Sequence, residues 1–322
     1  MSNDQFYLND LIGIDLGATN IKAGRVNREG NVLESLLVST EASKGVEEVI
    51  RRFGVIIQKL SKSNQIKAIG VSVPGLVDPD RGIVRSPPNL PGWEEVPLKA
   101  LLEKSLHIPI LINNDVNMVT YGEWRFGAGR GTRNLLCITL GTGVGGGIIT
   151  DGKLYLGGNK HAGEIGHMII DPEGPSCKCG GRGCLEALVG AEAIKRRTIS
   201  LIQSSNRQSS IVNEVKGDLE KITPEVVSKA AQRGDPIAME MINQVGKEIG
   251  IALTNAMALL DPDRVVIGGG ISKAGEVLFS PIRKTVEERL YTLKTGKIKI
   301  LPSELGDNAG VIGSAIYAYE KL

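Results

Sequence analysis

The chain has 322 residues, of which 41 are Gly, about 13% against a usual share near 7%. Hydrophobic residues make up 41% and aromatics only 4%, with 38 basic against 36 acidic side chains. This balance excludes a disordered chain and, lacking a G-X-Y period, a collagen; a net charge of +2 gives no electrostatic reason to expect nucleic acid or a membrane surface as partner.

In chain order, Leu11 to Leu16 (LIGIDL) reads as an apolar strand ending in a Gly-Ala-Thr-Asn turn, with strands over Ile21 to Val26 and Asn31 to Val38. Gly45 to Lys62 carries apolar residues at helical spacing, and Ile66 to Val73 is a strand stopped by Pro74-Gly75. Asp78 to Pro97, rich in Pro and Gly, reads as loop. A buried strand over Ile108 to Ile112 and a helix over Val116 to Phe126 follow. Leu135 to Thr150 is a second strand-turn-strand unit, succeeded by an irregular Gly-rich segment to Gly183. Helices are expected over Leu185 to Ser204, Pro224 to Arg233, Pro236 to Leu260, Glu276 to Leu290 and Ala309 to Tyr319. Short strands are expected at Arg264 to Gly268 and Ile298 to Leu301, and a polar loop at Gln203 to Ser210. The longest uncharged run, Asn134 to Thr150, is broken by five Gly and is no membrane span. The first ten residues, with two acids and no apolar core, do not read as a signal peptide, so a cytoplasmic α/β protein is expected.

One internal repeat stands out. IGIDLGATNIKAGRV from Ile12 aligns without gaps on LCITLGTGVGGGIIT from Leu136, an offset of 124 residues. A chance likeness of short hairpins is the plain explanation. The other is two similar domains, each offering a Gly-rich hairpin to one ligand between them. Such turns suit phosphate, because missing Cβ atoms let backbone N–H groups approach closely. A dinucleotide fold would need a helix to begin at GTGVGGG (Gly141 to Gly147), yet Val144 to Thr150 continues as a strand, and no Walker A string is present. In the first hairpin, Asp15 at the end of a buried strand could hold Mg²⁺ or its waters while Thr19 and backbone N–H groups meet phosphate. A turn-capping Asp and a solvated Lys22 are the ordinary alternative.

Three of the four Cys, Cys177, Cys179 and Cys184, fall within eight residues, and His167 lies ten residues upstream. Three thiolates and one imidazole suit tetrahedral Zn²⁺ and fill its coordination, so the site should be structural and not hydrolytic. Cys137, inside an apolar strand, reads as a core residue.

Taken together, DLGATNIK at Asp15, VPG at Val73, PPNLPGW at Pro87, NND at Asn113, LGTGVGGGI at Leu140, AGEIGH at Ala162, CKCGGRGCLE at Cys177 and VVIGGGIS at Val265 resemble the nucleotide-binding sugar kinases of the ROK family, within the actin-like ATPase superfamily. The resemblance covers nearly the whole chain, and eight motifs in order are far more specific than any one. It implies an α/β fold of two ribonuclease-H-like domains around a hinged cleft: residues 1–115, joined by a C-terminal helix over 309–322, and residues 116–308 with the zinc loop. It also implies ATP between the hairpins, at Asp15, Gly17, Thr19, Asn20 and Lys22, at Gly141, Thr142, Gly143, Gly145 and Gly147, and at Gly269 and Gly270. A hexose would bind at Asn89, Asn114, Asp115, Glu164, His167 and Glu186. One ring nitrogen of His167 would bind the zinc while the other faces the sugar.

Phosphoryl transfer to a hydroxyl also needs a carboxylate to accept its proton. Asp115, where a buried strand feeds a helix, is the leading candidate; helix N-capping is its ordinary alternative role. The implied activity is an ATP- and Mg²⁺-dependent hexokinase, a glucokinase making glucose 6-phosphate for glycolysis. Kinases for fructose, mannose, N-acetylglucosamine or N-acetylmannosamine are its rivals. The family also contains sugar-responsive repressors, which need a helix-turn-helix domain; only ten residues precede Leu11, so the kinase is expected. Proteins of the family are often dimers or tetramers. Residues 122–183 hold 18 of the 41 Gly, which points to an active-site wall built from glycine.

Overall fold

The computed structural model describes residues 10–61, 66–87, 90–205, 207–290 and 298–322. The elements run β1 (Asp10–Leu16), β2 (Asn20–Val26), β3 (Val32–Ser39), α1 (Val46–Ser61), β4 (Ile66–Val73), β5 (Leu76–Asp78), β6 (Ile83–Ser86), α2 (Leu98–Leu106), β7 (Ile110–Asn114) and α3 (Asp115–Phe126). They continue with β8 (Leu135–Leu140), β9 (Val144–Thr150), β10 (Lys153–Leu154), α4 (Leu185–Val189), α5 (Ala191–Ser204), α6 (Ser210–Glu214), α7 (Pro224–Gln232) and α8 (Pro236–Leu260). β11 (Arg264–Gly268), α9 (Glu276–Arg289), β12 (Lys299–Pro302) and α10 (Ala309–Lys321) complete the chain.

Among these residues two five-stranded sheets have the same topology. The first has the order β3-β2-β1-β4-β7 and the second β10-β9-β8-β11-β12. In each, an antiparallel three-stranded meander is extended by two strands parallel to its first strand. The central strands are apolar because both faces are covered, whereas edge strand β3 alternates between half-buried and exposed. The repeat therefore extends from a hairpin to two whole ribonuclease-H-like units. Its ungapped alignment needs one correction. Four residues separate the pair Leu16↔Ile21, but three separate Leu140↔Val144, so the second strands match only after a one-residue deletion in the turn. A one-residue slip would turn every side chain to the opposite face.

Helix α10 returns to the first sheet. A Cβ at Gly13 of β1 would lie 1.8 Å from the carbonyl oxygen of Val311, and one at Gly70 of β4 would lie 1.8 Å from that of Ser314. Only bare backbone allows the helix so close. Helix α3 crosses α10 in the same way, since a Cβ at Gly313 would lie 1.8 Å from the Met118 oxygen. Its other side rests on β9, where Cβ atoms at Gly145 and Gly147 would meet Val116 and Thr120. α3 is thus clamped between the two units, and its first turn is fixed against both.

Several local expectations change. Leu185 to Ser204 is two helices, because Gly190 has extended backbone (ψ 160°) and a Cβ there would press on the carbonyl oxygens of Glu186 and Thr142. The segment Asp78 to Pro97 contains β6, which pairs with β5. Helix α2 lies in a stretch that periodicity leaves unassigned. Ser209 and Ser210, at the end of the expected polar loop, are anchored on the Asp235 carboxylate. Cys137 is fully buried, and burial pushes its thiol up to about 12. Among the described residues no helix is long and apolar enough to cross a membrane.

Candidate active site

The site begins at the ends of the two central strands. Asp15, next to last in β1, accepts a hydrogen bond at Oδ1 from the Ser72 hydroxyl (2.7 Å). Burial raises its carboxyl above the ordinary carboxylate value, opposed by that hydroxyl and by Lys22, its cross-strand neighbour. A Cβ at Gly310 would lie 3.0 Å from Asp15 Oδ2, so the first turn of α10 faces the carboxylate. Lys22 donates to the Asp307 carbonyl oxygen (2.7 Å), which ties the first hairpin to the turn before α10. Thr19 and Asn20 are exposed in the hairpin turn, closed by Gly17 N–H donating to the Asn20 oxygen (2.9 Å).

Asp115 is freed from capping by its neighbour. Asn114 is the N-cap of α3, its side-chain oxygen accepting from the N–H groups of Val116 and Asn117. Its amide nitrogen donates to the Gly75 oxygen (3.1 Å), leaving one N–H for a ligand. Asp115 is the first helical residue, with Oδ1 accepting from Val116 N–H (2.8 Å). Burial, and next the Asp15 charge, push it up to about 7. Its neighbour Val116 lies against Gly145 of the second hairpin. Asp115 therefore lies within electrostatic reach of Asp15 in the first hairpin, and its neighbour Val116 packs against Gly145 of the second.

The second hairpin turn is residues 141–143. Gly141, Thr142 and Gly143 lie in it, whereas Gly145 and Gly147 lie in β9 under α3, which gives them a packing reason. Gly269 follows β11 with φ 89°, and a Cβ there would lie 2.3 Å from the Leu140 oxygen, so it must be glycine. Gly270, beside it, opens onto free space.

Further along the chain, His167 and the three cysteines place one donor atom each within 4.8 Å of one another. Cys179 Sγ and Cys184 Sγ are 3.8 Å apart, and Cys177 Sγ is 3.7 Å from His167 Nδ1. A zinc tetrahedron with standard bonds has S–S and S–N edges of ~3.8 and ~3.6 Å, so the donor set fits Zn²⁺. Backbone bonds from Ile170 N to Gly183 O (2.8 Å) and Leu185 N to Met168 O (2.9 Å) hold the His and Cys strands together. With Nδ1 turned to the thiols, His167 Nε2 faces the exposed Glu164 carboxylate at 4.0 Å. Glu186, in the first turn of α4, accepts from Val144 N–H (2.9 Å) through Oε2. Asn89 lies outside the described residues.

Three residues here escape sequence reasoning. Ser72 is readable as a lone hydroxyl in an apolar strand. Glu123, in α3, is fully buried and accepts from the N–H groups of Ala128, Glu304 and Leu305, linking α3 to the segment between β12 and α10. Nothing local signals those partners. Lys160, paired with Asp80 (2.7 Å), joins the loop ahead of Glu164 to the turn between β5 and β6.

The ROK family model matches residues 11–321. The chain is 37% identical over 314 residues to a glucokinase of Thermotoga maritima, covering 97% of this chain and 98% of that one. A ROK family glucokinase from Streptomyces griseus, solved with glucose and AMPPNP, is 33% identical with a TM-score of 0.85 over 97% of this chain and 99% of that chain. A xylose repressor of Caldicellulosiruptor bescii is 31% identical over 308 residues, which is 94% of this chain and 76% of the repressor. The two like-ordered sheets are thus the two-domain, actin-like ATPase fold of these proteins. With eight motifs in order, a match along nearly its whole length and this fold, the chain belongs to the ROK family.

Proposed function

We propose that this chain is an ATP-dependent hexokinase that transfers the γ-phosphoryl group to a hexose 6-hydroxyl, with glucose as preferred acceptor and glucose 6-phosphate as product. The observation that carries this reading is Asp115: a half-buried carboxylate, released from capping by Asn114, between two Gly-rich hairpin turns. A proton acceptor whose affinity lies near neutrality is matched to taking a hydroxyl proton as the phosphorus–oxygen bond forms. Val116 N–H fixes one carboxylate oxygen, so the group is oriented before the substrate arrives.

The turns at 17–20 and 141–143 offer backbone N–H groups to the phosphates, with Gly269 and Gly270 flanking the second for the nucleoside. Asp15 is the carboxylate that would hold Mg²⁺ or its waters, a cation that supplies charge neutralisation on the phosphates when bound. Its half-buried carboxylate, with Ser72 as its hydroxyl partner, suits a cation held by a single protein ligand. Glu164, His167, Glu186, Asn114 and Asn89 are assigned to the sugar hydroxyls, where hydrogen-bonding groups reject analogues lacking the partner. A structural Zn²⁺ on His167, Cys177, Cys179 and Cys184 would fix the loop that carries Glu164 and His167 and leads into the first turn of α4 with Glu186.

We further place the functional units at residues 1–115 with 309–322 and at 116–308. The seating of α10 on β1 and β4 supports this division. A cytoplasmic homo-oligomer, dimer or tetramer, acting without nucleic acid, completes the proposal. The test is ATP-dependent formation of hexose 6-phosphate in a coupled assay, lost in Asp115→Asn while calorimetric glucose binding persists. Full turnover in that variant would remove Asp115 from its role.

A further inference from the structure

Glu186 stands where three parts of the site meet. Two residues before it, Cys184 belongs to the thiol–imidazole cluster. Its own Oε2 accepts from Val144 N–H (2.9 Å), the first residue after the 141–143 turn. A Cβ at Gly143 would lie 2.4 Å from that same oxygen, so the carboxylate is seated directly against the turn. The junction of α4 and α5 adds to this hold. Ala191 N–H donates to the Gly141 oxygen (3.1 Å), and a Cβ at Gly190 would lie 3.2 Å from the Thr142 oxygen. Within itself the turn has Gly141 N–H donating to the Gly143 oxygen (2.9 Å). A three-residue turn rich in Gly has little stiffness of its own, so its shape is set from outside, by the helix that follows the cysteine cluster.

We propose that Glu186 is a positioning residue for the phosphate-binding turn, one carboxylate serving both substrates. Oε2 holds Val144 N–H and with it the turn; Oε1, without a hydrogen-bond partner among the described residues, is left for a sugar hydroxyl. The inference rests on the kinase reading for its two ligands. It assigns to Glu186 an effect that a sugar contact alone cannot have: nucleotide affinity in the complete absence of sugar.

The experiment titrates a fluorescent ATP analogue with Mg²⁺ into the sugar-free full chain, for the wild type, Glu186→Ala and Glu186→Gln. A second titration follows glucose by calorimetry. Alanine leaves Val144 N–H unpaired and the turn loose, so the nucleotide Kd should rise about tenfold, the scale of one lost charge-assisted hydrogen bond. Glutamine keeps an acceptor for Val144 N–H, so its nucleotide Kd should stay within about twofold of wild type while glucose binding weakens. Should Glu186→Ala fail to fold, Gly143→Ala places a methyl against Oε2 and should weaken sugar-free nucleotide binding likewise. Nucleotide affinity unchanged in the folded alanine variants, beside a wild type that binds, would overturn the positioning role and leave Glu186 a sugar contact only. A wild type that binds no nucleotide at all would overturn the kinase reading itself, and the proposal with it.

Discussion

Replacing Asp115 by Asn should slow turnover strongly and also stabilise the protein, by an amount that depends on pH. In the folded chain burial and the Asp15 charge lift the Asp115 carboxyl from 3.8 to about 7. The native state therefore holds this proton more tightly than the unfolded chain does. Stability is lost as pH rises through that window, at about 1.4 kcal/mol per pH unit. By pH 8 the ionised carboxylate costs about 4 kcal/mol, whereas at pH 5 the cost is about 2 kcal/mol. Asn cannot ionise, and its side-chain oxygen can still accept from Val116 N–H. Urea unfolding of Asp115→Asn against wild type should thus show a gain of about 4 kcal/mol at pH 8 that falls to about 2 kcal/mol at pH 5. The same variant should lose about 10²- to 10⁴-fold in kcat. Equal gains at both pH values, or a loss of stability at pH 8, would refute the electrostatic account of this carboxylate.

Because Asp115 must be ionised to accept a proton, kcat/KM should fall on the acid side with a midpoint close to 7, and Asp15→Asn should move that midpoint down; a flat profile between pH 6 and 8 would contradict the assignment. Cys179→Ala should lower the zinc content measured by mass spectrometry from one per chain, speed proteolysis of the loop around Cys177 and raise the sugar KM. Unchanged sugar kinetics would separate the metal from the pocket. Gly313→Ala, whose methyl would lie 1.8 Å from the Met118 oxygen, should destabilise the crossing of α3 and α10 by about 3 kcal/mol or more in thermal unfolding. A wild-type melting temperature would show that the two helices can part at little cost.

Strand and helix bounds set by local pattern were legible in the chain. The span of β4, Ile66–Val73, and that of α8, Pro236–Leu260, coincide with the apolar runs and the Asp235-Pro236 start signal. The grouping of His167 with Cys177, Cys179 and Cys184 was equally legible, because these residues are close in sequence. What stayed hidden depends on contacts between distant segments. Asn114 and Asp115 compete for one capping position, and only the backbone geometry decides that Asn114 takes it. The excess of Gly over 122–183 mixes two causes that composition cannot separate. Gly141 and Gly143 belong to a turn, whereas Gly145 and Gly147 admit the Val116 and Thr120 side chains of α3. The glycine wall is therefore as much a helix–sheet contact as a hairpin turn. The bond from Glu186 to Val144 N–H spans 42 residues and has no local signature.

The reaction proposed for this chain is phosphorylation of a hexose, with glucose preferred. A coupled assay with ATP and Mg²⁺ over glucose, mannose, fructose, N-acetylglucosamine and N-acetylmannosamine tests it most directly. Glucose should show the highest kcat/KM, with clear discrimination against the N-acetylated sugars. Equal turnover of the N-acetylated sugars would contradict glucose as the acceptor, and no turnover of any hexose would contradict the kinase itself.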